Sequence, residues 1–398
     1  MNALGIIGFV LALLISVMIH EAGHFVMARR YGMKVTEFFV GFGQRLWSFR
    51  RGETEYGIKA IPAGGYCRIV GMSVHEKLTD EEKPRAFYIA SAPKRLVVLG
   101  AGSFLHFVLG FLILFVLLAG VGTTAVTSTV GEVSKCLTPA DQTNFKCAAS
   151  DAPSPALSAG IQAGDKIIAI NGQEIKQWSD AVIKIRASAN RRILITINRA
   201  GDLIQLRVTP EAHILNGKRV GQIGVVNKLG NQRQSPLTAL THSADITRQL
   251  LKSSITSLIS LPAKVVPLVR QTFGKEKRDP AGLVGVVGVA RVSGQTASDP
   301  RLATPEKIAT FLLIIASLNI FVGVFNLLPL LPLDGGHMAV AIADGIRALW
   351  AKRRGRERPA PIDVEKLTPI TIVVFVLLAA LSLLLLAADI FNPVQLNL

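Results

Sequence analysis

Long apolar runs set against sharply polar flanks dominate the pattern along this chain. Four of them, at residues 3–27, 96–120, 309–331 and 369–390, each approach the ~20 residues that a helix needs to cross the hydrocarbon of a bilayer. Residues 35–72 have a different texture. Phe38-Phe39-Val40, Leu46-Trp47-Ser48-Phe49 and the run from Tyr56 to Ile61 are punctuated by Gly41, Gly43, Gly64 and Gly65, which predicts hairpin strands. Strand edges are tolerated at membrane depth only when buried in protein or lining a cavity, so this apolar β region is expected to be membrane-associated and to sit beside the helical bundle.

The polar stretch between the second and third runs cannot span anything. Residues 123–230, with a core at 130–210, read as a soluble α/β module in which Asn171-Gly172 marks a tight turn between strand-like runs. The segment from Ala159 to Gly172, A-G-I-x-A-G-D-x-I-x-x-I-N-G, resembles a PDZ domain, a module that typically takes up extended peptides by strand addition. Residues 231–300 form a linker region. Within it, 243–273 is interrupted by Pro262, Lys264 and Pro267 and is expected to be an amphipathic helix on the outer membrane surface, not a fifth span. The Gly/Val-rich run that follows, through Arg291, carries no assignment. The fold class is thus a polytopic α-helical membrane protein with four transmembrane helices, a membrane-associated β region and one inserted extracytoplasmic module. Its parts are 1–122, 123–230, 231–300 and 301–398.

Composition agrees and adds an orientation. The 398 residues are 50% hydrophobic and carry a formal charge of +17, with a mean hydropathy of +0.42, too apolar for an ordinary soluble enzyme. A strongly basic balance can signal nucleic acid, but here the location of the charges points to topology instead. No Lys or Arg precedes the first run, whereas Arg29, Arg30, Lys34, Arg45, Arg50 and Arg51 follow it, and Lys352, Arg353, Arg354, Arg356 and Arg358 separate the third run from the fourth. The positive-inside rule puts both segments in the cytoplasm, and the termini and the long middle segment outside. The first run lacks the basic n-region of a signal peptide and is too long for an h-region, so it is read as a retained helix. Of the three cysteines, Cys67 falls in the first cytoplasmic loop. Cys136 and Cys147 fall outside, where a local disulfide and two unpaired small residues are both open readings.

Chemistry is concentrated at two places. His20-Glu21-Ala22-Gly23-His24 is an H-E-x-x-H motif, and on a helix residues i and i+4 share a face, so both imidazoles can ligate one cation while Glu21 reaches its water. Two neutral histidines suit zinc, whose catalytic sites use three protein ligands and one open position. A chance match is disfavoured, because a carboxylate costs on the order of 2.5–3.5 kcal/mol at mid-membrane depth. The third ligand is expected at Asp334, where the third run ends among Pro329, Pro332 and apolar residues that prevent a regular helix. The blander role for Asp334 is a helix-terminal turn residue. If the first and third spans both run inward, His20, His24 and Asp334 fall at the same depth.

H-E-x-x-H in the first span, N-x-x-P-x-x-x-x-D-G-G from Asn326 at the end of the third, Gly41-Phe42-Gly43 and one PDZ-like insertion together resemble the site-2 protease family of intramembrane metalloproteases. The likeness covers nearly the whole chain and is greatest to the bacterial regulator-of-sigma-E-protease type in its short actinobacterial, single-PDZ form. It implies that His20, His24 and Asp334 bind Zn2+, that Glu21 is general base and then proton donor, and that Asn326 polarises the scissile carbonyl or its oxyanion. Asn326 has a second reading, as an amide satisfying the backbone of a broken helix. The resemblance also implies a bacterial cytoplasmic (inner) membrane location and single-pass membrane substrates, often anti-sigma factors already cut once outside. The β region would hold the substrate as an added strand, peptide or substrate would contact the PDZ-like module, and no nucleic acid would be bound. The chain departs from the family where relatives commonly have G-P-x-x-N and it has Gly102-Ser103-Phe104-Leu105-His106. His106 is read as a hydrogen-bonded interior residue in preference to a substrate contact. Two rival functions are a catalytically inactive membrane PDZ scaffold or chaperone, which predicts binding without proteolysis, and an ion-coupled transporter, which predicts internal repeats that the sequence lacks.

Overall fold

The structure, a computed structural model, describes residues 3–137, 147–148, 150–215, 217–274, 276, 278–279, 282–357 and 359–393; Arg358 of the basic cluster lies outside the described residues. The chain divides into two compact units, one made of 1–121 with 233–398 and the other of 122–232.

The first unit opens with helix α1, Ala3–Arg30, whose last turn carries Arg29 and Arg30 at the end favourable for cations. Strands β1, Val35–Arg51, and β2, Thr54–Ile69, follow. The glycines that punctuate the sequence here make bends, Gly41 and Gly43 both at positive φ, where residues with a Cβ are strained. Each strand therefore folds on itself. Phe38 pairs with both Tyr56 and Cys67, and Phe39 with both Gly57 and Tyr66, while Trp47 pairs with Ile58. The two strands thus supply four neighbouring segments, in the order 45–51, 54–59, 35–42 and 61–69, and the last is an edge. Helix α2, Ala92–Val116, comes next and closes in a π-helical turn, Leu117–Val121.

The second unit is a five-strand path with a two-residue attachment. Strand β3 is Thr123–Val133, helix α3 is Pro155–Ser158, and strands β4 and β5 are Lys166–Ile170 and Gln173–Glu174. Helix α4, Trp178–Arg186, precedes β6, Ile193–Arg199, and β7, Asp202–Val208. Strands β8, Glu211–Leu215, and β9, Lys218–Gln222, form a separate hairpin, and β10, Val225–Gln232, closes the unit in the order β10-β3-β4-β6-β7. Its core is aliphatic: Ile167, Ile170, Ile195, Ile197 and Val208 are buried in it, each contributing roughly 1.5–3 kcal/mol by leaving water. Cys136 and Cys147 are disulfide-bonded, which decides between the two readings the sequence left open.

The chain then returns to the first unit with α5, Pro236–Phe273, a single helix that runs through Pro262 and Pro267. It does not lie across the end of the bundle as its sequence suggested. Ile246, Leu250 and Leu251 pack with Leu114, Ala316 and Ile320, and Ser253, Ser254 and Ser257 line a cleft with Ile314, Ser317 and Phe321 from the middle of the third span. Small hydroxyl residues on that face let the helices approach closely. The unassigned Gly/Val run is helix α6, Val286–Ser298. The third span is helix α7, Thr304–Asn326, displaced about five residues toward the N-terminus from the apolar run that predicted it. Glu306 caps its start by accepting from the Ala303 N–H at 2.9 Å, and Pro329 and Pro332 prevent its continuation. Helix α8, Asp334–Arg353, and helix α9, Thr368–Phe391, complete the chain. Among the described residues four segments are long and apolar enough to cross a membrane, Ala3–Arg30, Ala92–Val121, Thr304–Asn326 and Val364–Phe391. Arg95 of α2 donates twice to Asp344 Oδ2 of α8, both at 3.0 Å, and the N–H of Ile362 donates to Asp344 Oδ1 at 2.9 Å. This buried pair pins α8 to α2, because removing one partner would strand a charge in the interior.

Candidate metal centre

His20 and His24 stand one turn apart on α1, so their imidazoles leave the helix on one face, and both are buried. Their Nε2 atoms are 3.0 Å apart. Asp334 Oδ2 lies 3.1 Å from His20 Nε2 and 3.3 Å from His24 Nε2. The opposite side of the His24 ring is held by its Nδ1–H, which donates to the Val98 carbonyl oxygen at 2.8 Å. Since a carbonyl only accepts, Nδ1 carries the proton and Nε2 presents a lone pair toward His20 and Asp334.

An imidazole lone pair, a second imidazole and a carboxylate oxygen thus converge on one point. Without a cation such acceptors repel one another. Among the described residues Asp334 Oδ2 and His20 Nδ1 are buried with no hydrogen-bond partner, which fits a carboxylate oxygen kept for a metal. The three ligand atoms lie within 4.8 Å of one another. Two nitrogens and one oxygen, one imidazole oriented by a backbone carbonyl behind it, form a donor set suited to a zinc-like divalent cation with a position left open.

Local chain geometry delivers Asp334 to this point. It is the first residue of α8, and Gly335 and Gly336 after it press against the backbone of the break between α7 and α8. A Cβ at Gly335 would sit 2.2 Å from the Leu328 carbonyl oxygen, and one at Gly336 2.5 Å from the Leu331 nitrogen. Gly102 on α2 forms the floor under the histidines: a Cβ there would fall 2.5 Å from His20 Cε1 and 2.7 Å from His24 Nε2. The sequence pattern identified neither Gly102 nor the Val98 carbonyl as part of the centre. Its available signal was a glycine inside a spanning run, which marks close approach of a neighbouring helix.

Glu21 points away from the convergence toward the β region. Its side chain neighbours the edge segment 61–69, where a Cβ on Gly65 would lie 3.7 Å from Glu21 Cγ, and the Cys67 backbone N–H bonds to its carboxylate. Asn326, the last residue of α7, is half-buried, and among the described residues its amide has no hydrogen-bond partner. The buried amide nearest the centre is Asn319. It donates to Ser16 Oγ at 3.1 Å and to the Ile315 carbonyl at 2.9 Å, and its Oδ1 accepts from His106 Nδ1 at 2.8 Å. His106 is therefore the hydrogen-bonded interior histidine that its sequence context suggested, with its ring centroid 4.9 Å from that of His20.

Cys67 reports on the packing of this edge. Burial, and secondarily the Glu21 charge, pushes its thiol up to about 12, so the reactive thiolate is scarce at any pH below that value. With Cys136 and Cys147 bonded to each other, maleimide at about pH 8 is expected to leave the native protein unlabelled and to label one thiol after denaturation. Labelling of the native chain at the denatured rate would contradict this packing.

Comparison with known proteins places these features in a family context. The description of peptidase family M50 matches residues 8–364. The zinc metalloprotease Rip1 of Mycobacterium tuberculosis strain H37Rv is 36% identical, with 98% of each chain covered. Rip1 of Mycolicibacterium smegmatis is 36% identical with 99% of each chain covered. A putative zinc metalloprotease of Mesorhizobium japonicum is 29% identical over 84% of this chain and 87% of its own.

Proposed function

This chain belongs to peptidase family M50, and from that premise we propose that it is a zinc endopeptidase that hydrolyses a peptide bond within or beside a transmembrane helix of another membrane protein. The observation that carries the reading is the convergence of His20 Nε2, His24 Nε2 and Asp334 Oδ2 at 3.0–3.3 Å on elements of a multi-pass membrane bundle. His20, His24 and Asp334 would hold the zinc ion, which when bound supplies Lewis acidity and brings the pKa of its water near 7. Glu21 takes the proton from the attacking water and returns it to the leaving amine. Asn326 is assigned to the scissile carbonyl oxygen, as an amide donor with no other partner among the described residues.

A helical peptide bond has its N–H and C=O engaged, so the substrate must be unwound before attack. The edge segment 61–69, which runs beside α1 at Glu21, offers an open sheet edge for that purpose. An added strand there would bring its peptide bonds alongside Glu21. The basic residues after α1 and at the end of α8 favour that side as cytoplasmic, which would place the site near the cytoplasmic face of a bacterial inner membrane and unit 122–232 outside. That unit we read as a PDZ domain receiving peptide or substrate. Substrates would be single-pass proteins, anti-sigma factors among them, trimmed beforehand by another protease.

The test is metal analysis of the purified full chain alongside cleavage of a single-pass reporter in nanodiscs. The wild type should hold close to one zinc per chain and cut the reporter. His24→Ala should lose both properties together, and a zinc-free His24→Ala protein that still cleaves would end the proposal.

A further inference from the structure

At the end of the bundle where α1 and α7 finish and α2 and α9 begin, α8 leaves the metal centre and descends along the first turns of α2. Met338 faces Gly100, Asp344 meets Arg95, and Gly345 abuts Ala92. Between the two helices opens a groove of about 900 Å³. One end is apolar, lined by Leu96, where the apolar run of α2 begins, with Ile342, Ile346 and Leu349. The other end is lined by Lys352 and Arg356, which make no ion pair among the described residues. The one acidic residue on the wall, Asp344, is already neutralised, by Arg95 at 3.0 Å and Arg347 at 3.4 Å.

The apolar side chains are also more exposed than a soluble surface tolerates in one row: Ile342 is 47%, Ile346 50%, Leu349 61% and Trp350 59% exposed. They recur at helical spacing on one face of α8, and Lys352, Arg353, Arg354 and Arg356 follow them. An apolar face that runs into a basic cluster matches an amphiphile with an apolar tail and an anionic head. Location selects the source. The spans Thr304–Asn326 and Val364–Phe391 bracket this 37-residue connection, residues 327–363, and hold both of its ends at the membrane boundary.

We propose that the α2/α8 groove binds an anionic phospholipid of the adjacent leaflet, its acyl chain along Leu96, Ile342, Ile346 and Leu349 and its phosphate between Lys352 and Arg356. The lipid would bridge two helices that each touch the metal centre. Asp334 is the first residue of α8, and Val98 and Gly102 lie within two turns of Leu96 on α2. The proposal rests on the membrane placement of the bundle and not on proteolysis.

The experiment is native mass spectrometry of the delipidated full chain titrated with phosphatidylglycerol or phosphatidylcholine of identical acyl chains. The wild type should bind phosphatidylglycerol preferentially. A basic residue near an anionic surface contributes about a factor of five, so Lys352→Gln/Arg356→Gln should bind it about 30-fold more weakly, with phosphatidylcholine binding unchanged. Lys166→Gln/Arg207→Gln, on the other unit, should behave as wild type, and Lys352→Arg should retain the preference. Equal phosphatidylglycerol binding by wild type and Lys352→Gln/Arg356→Gln would overturn the site. So would displacement of the lipid by glycerol 3-phosphate alone, or by an acidic peptide, since the groove would then be reading free phosphate or protein. Because the readout is bound lipid mass, it stands whether or not the chain cleaves a reporter.

Discussion

Glu21→Gln is expected to lower the cleavage rate by about a thousandfold while zinc content stays at the wild-type level. The carboxylate of Glu21 follows His20 on α1, lies outside the ligand set of His20, His24 and Asp334, and is held at the β-region edge by the Cys67 N–H. Glutamine keeps its length and an acceptor oxygen for the Cys67 N–H but cannot take a proton. General base catalysis contributes roughly 10²–10⁴ in rate, and the ligands themselves are untouched. Single-turnover cleavage of a membrane reporter, paired with metal analysis of the same preparation, separates the two effects. Wild-type rates at full zinc occupancy would remove Glu21 from the chemistry. Loss of zinc together with activity would make it a structural residue of the site.

The second large effect comes from a residue with no chemistry of its own. Gly102→Ala puts a methyl group 2.5 Å from His20 Cε1, 2.6 Å from His20 Nδ1 and 2.7 Å from His24 Nε2, all closer than real Cβ contacts come. The rings have little room to yield, since His24 is tied to Val98 O and both leave the same face of α1 one turn apart. Overpacking of this kind costs about 1–3 kcal/mol, and disturbance behind a ligand typically costs 10–100-fold in metal affinity. We expect zinc affinity to fall within that range and cleavage to fall with it. Gly100→Ala is the matched control on the same helix. Among the described residues outside its own helix backbone, its new Cβ meets Met338 Cε at 3.8 Å, an ordinary contact, so affinity and activity should stay near wild type. If the two alanine variants bind zinc equally, Gly102 is not the floor of the site.

These two predictions draw on different kinds of information. The importance of Glu21 was visible in the spacing His20-Glu21-Ala22-Gly23-His24, because an α-helix of any origin brings i and i+4 to one face. The importance of Gly102 was not, because nothing in a run of apolar residues says which glycine lies under a histidine on another helix. The same contrast recurs elsewhere. His106 was singled out as an ionisable group in a span and proves to be held by Asn319, but its partner lies 213 residues away. Asn326 was chosen by its place in a motif, and the fold sets it at the end of α7, its amide without a hydrogen-bond partner among the described residues. The 243–273 stretch was legible as a helix, yet its two prolines suggested a surface element, and only its packing against the middle of α7 shows where it lies.

The sequence by itself determined what local periodicity and solvent preference control. Four runs were long enough to span, the β region was punctuated into strands, 123–230 stood apart as a polar module, and His20 and His24 were committed to one helix face. Each of these follows from residues within a few positions of one another meeting water or lipid. Tertiary structure decided what joins distant positions: Val98 O behind His24 at a separation of 74 residues, Arg95 on Asp344 at 249, and Asn319 on Ser16 at 303. It also decided that the α7–α8 break aims Asp334 at the histidines, and that α8 leaves an apolar groove ending in cations that make no ion pair among the described residues. The physical reason is that such contacts are fixed by packing of helices whose surfaces are nearly uniform in hydropathy. Small residues at the crossing points set how closely the helices approach, and the hydropathy pattern does not reveal which small residues those are.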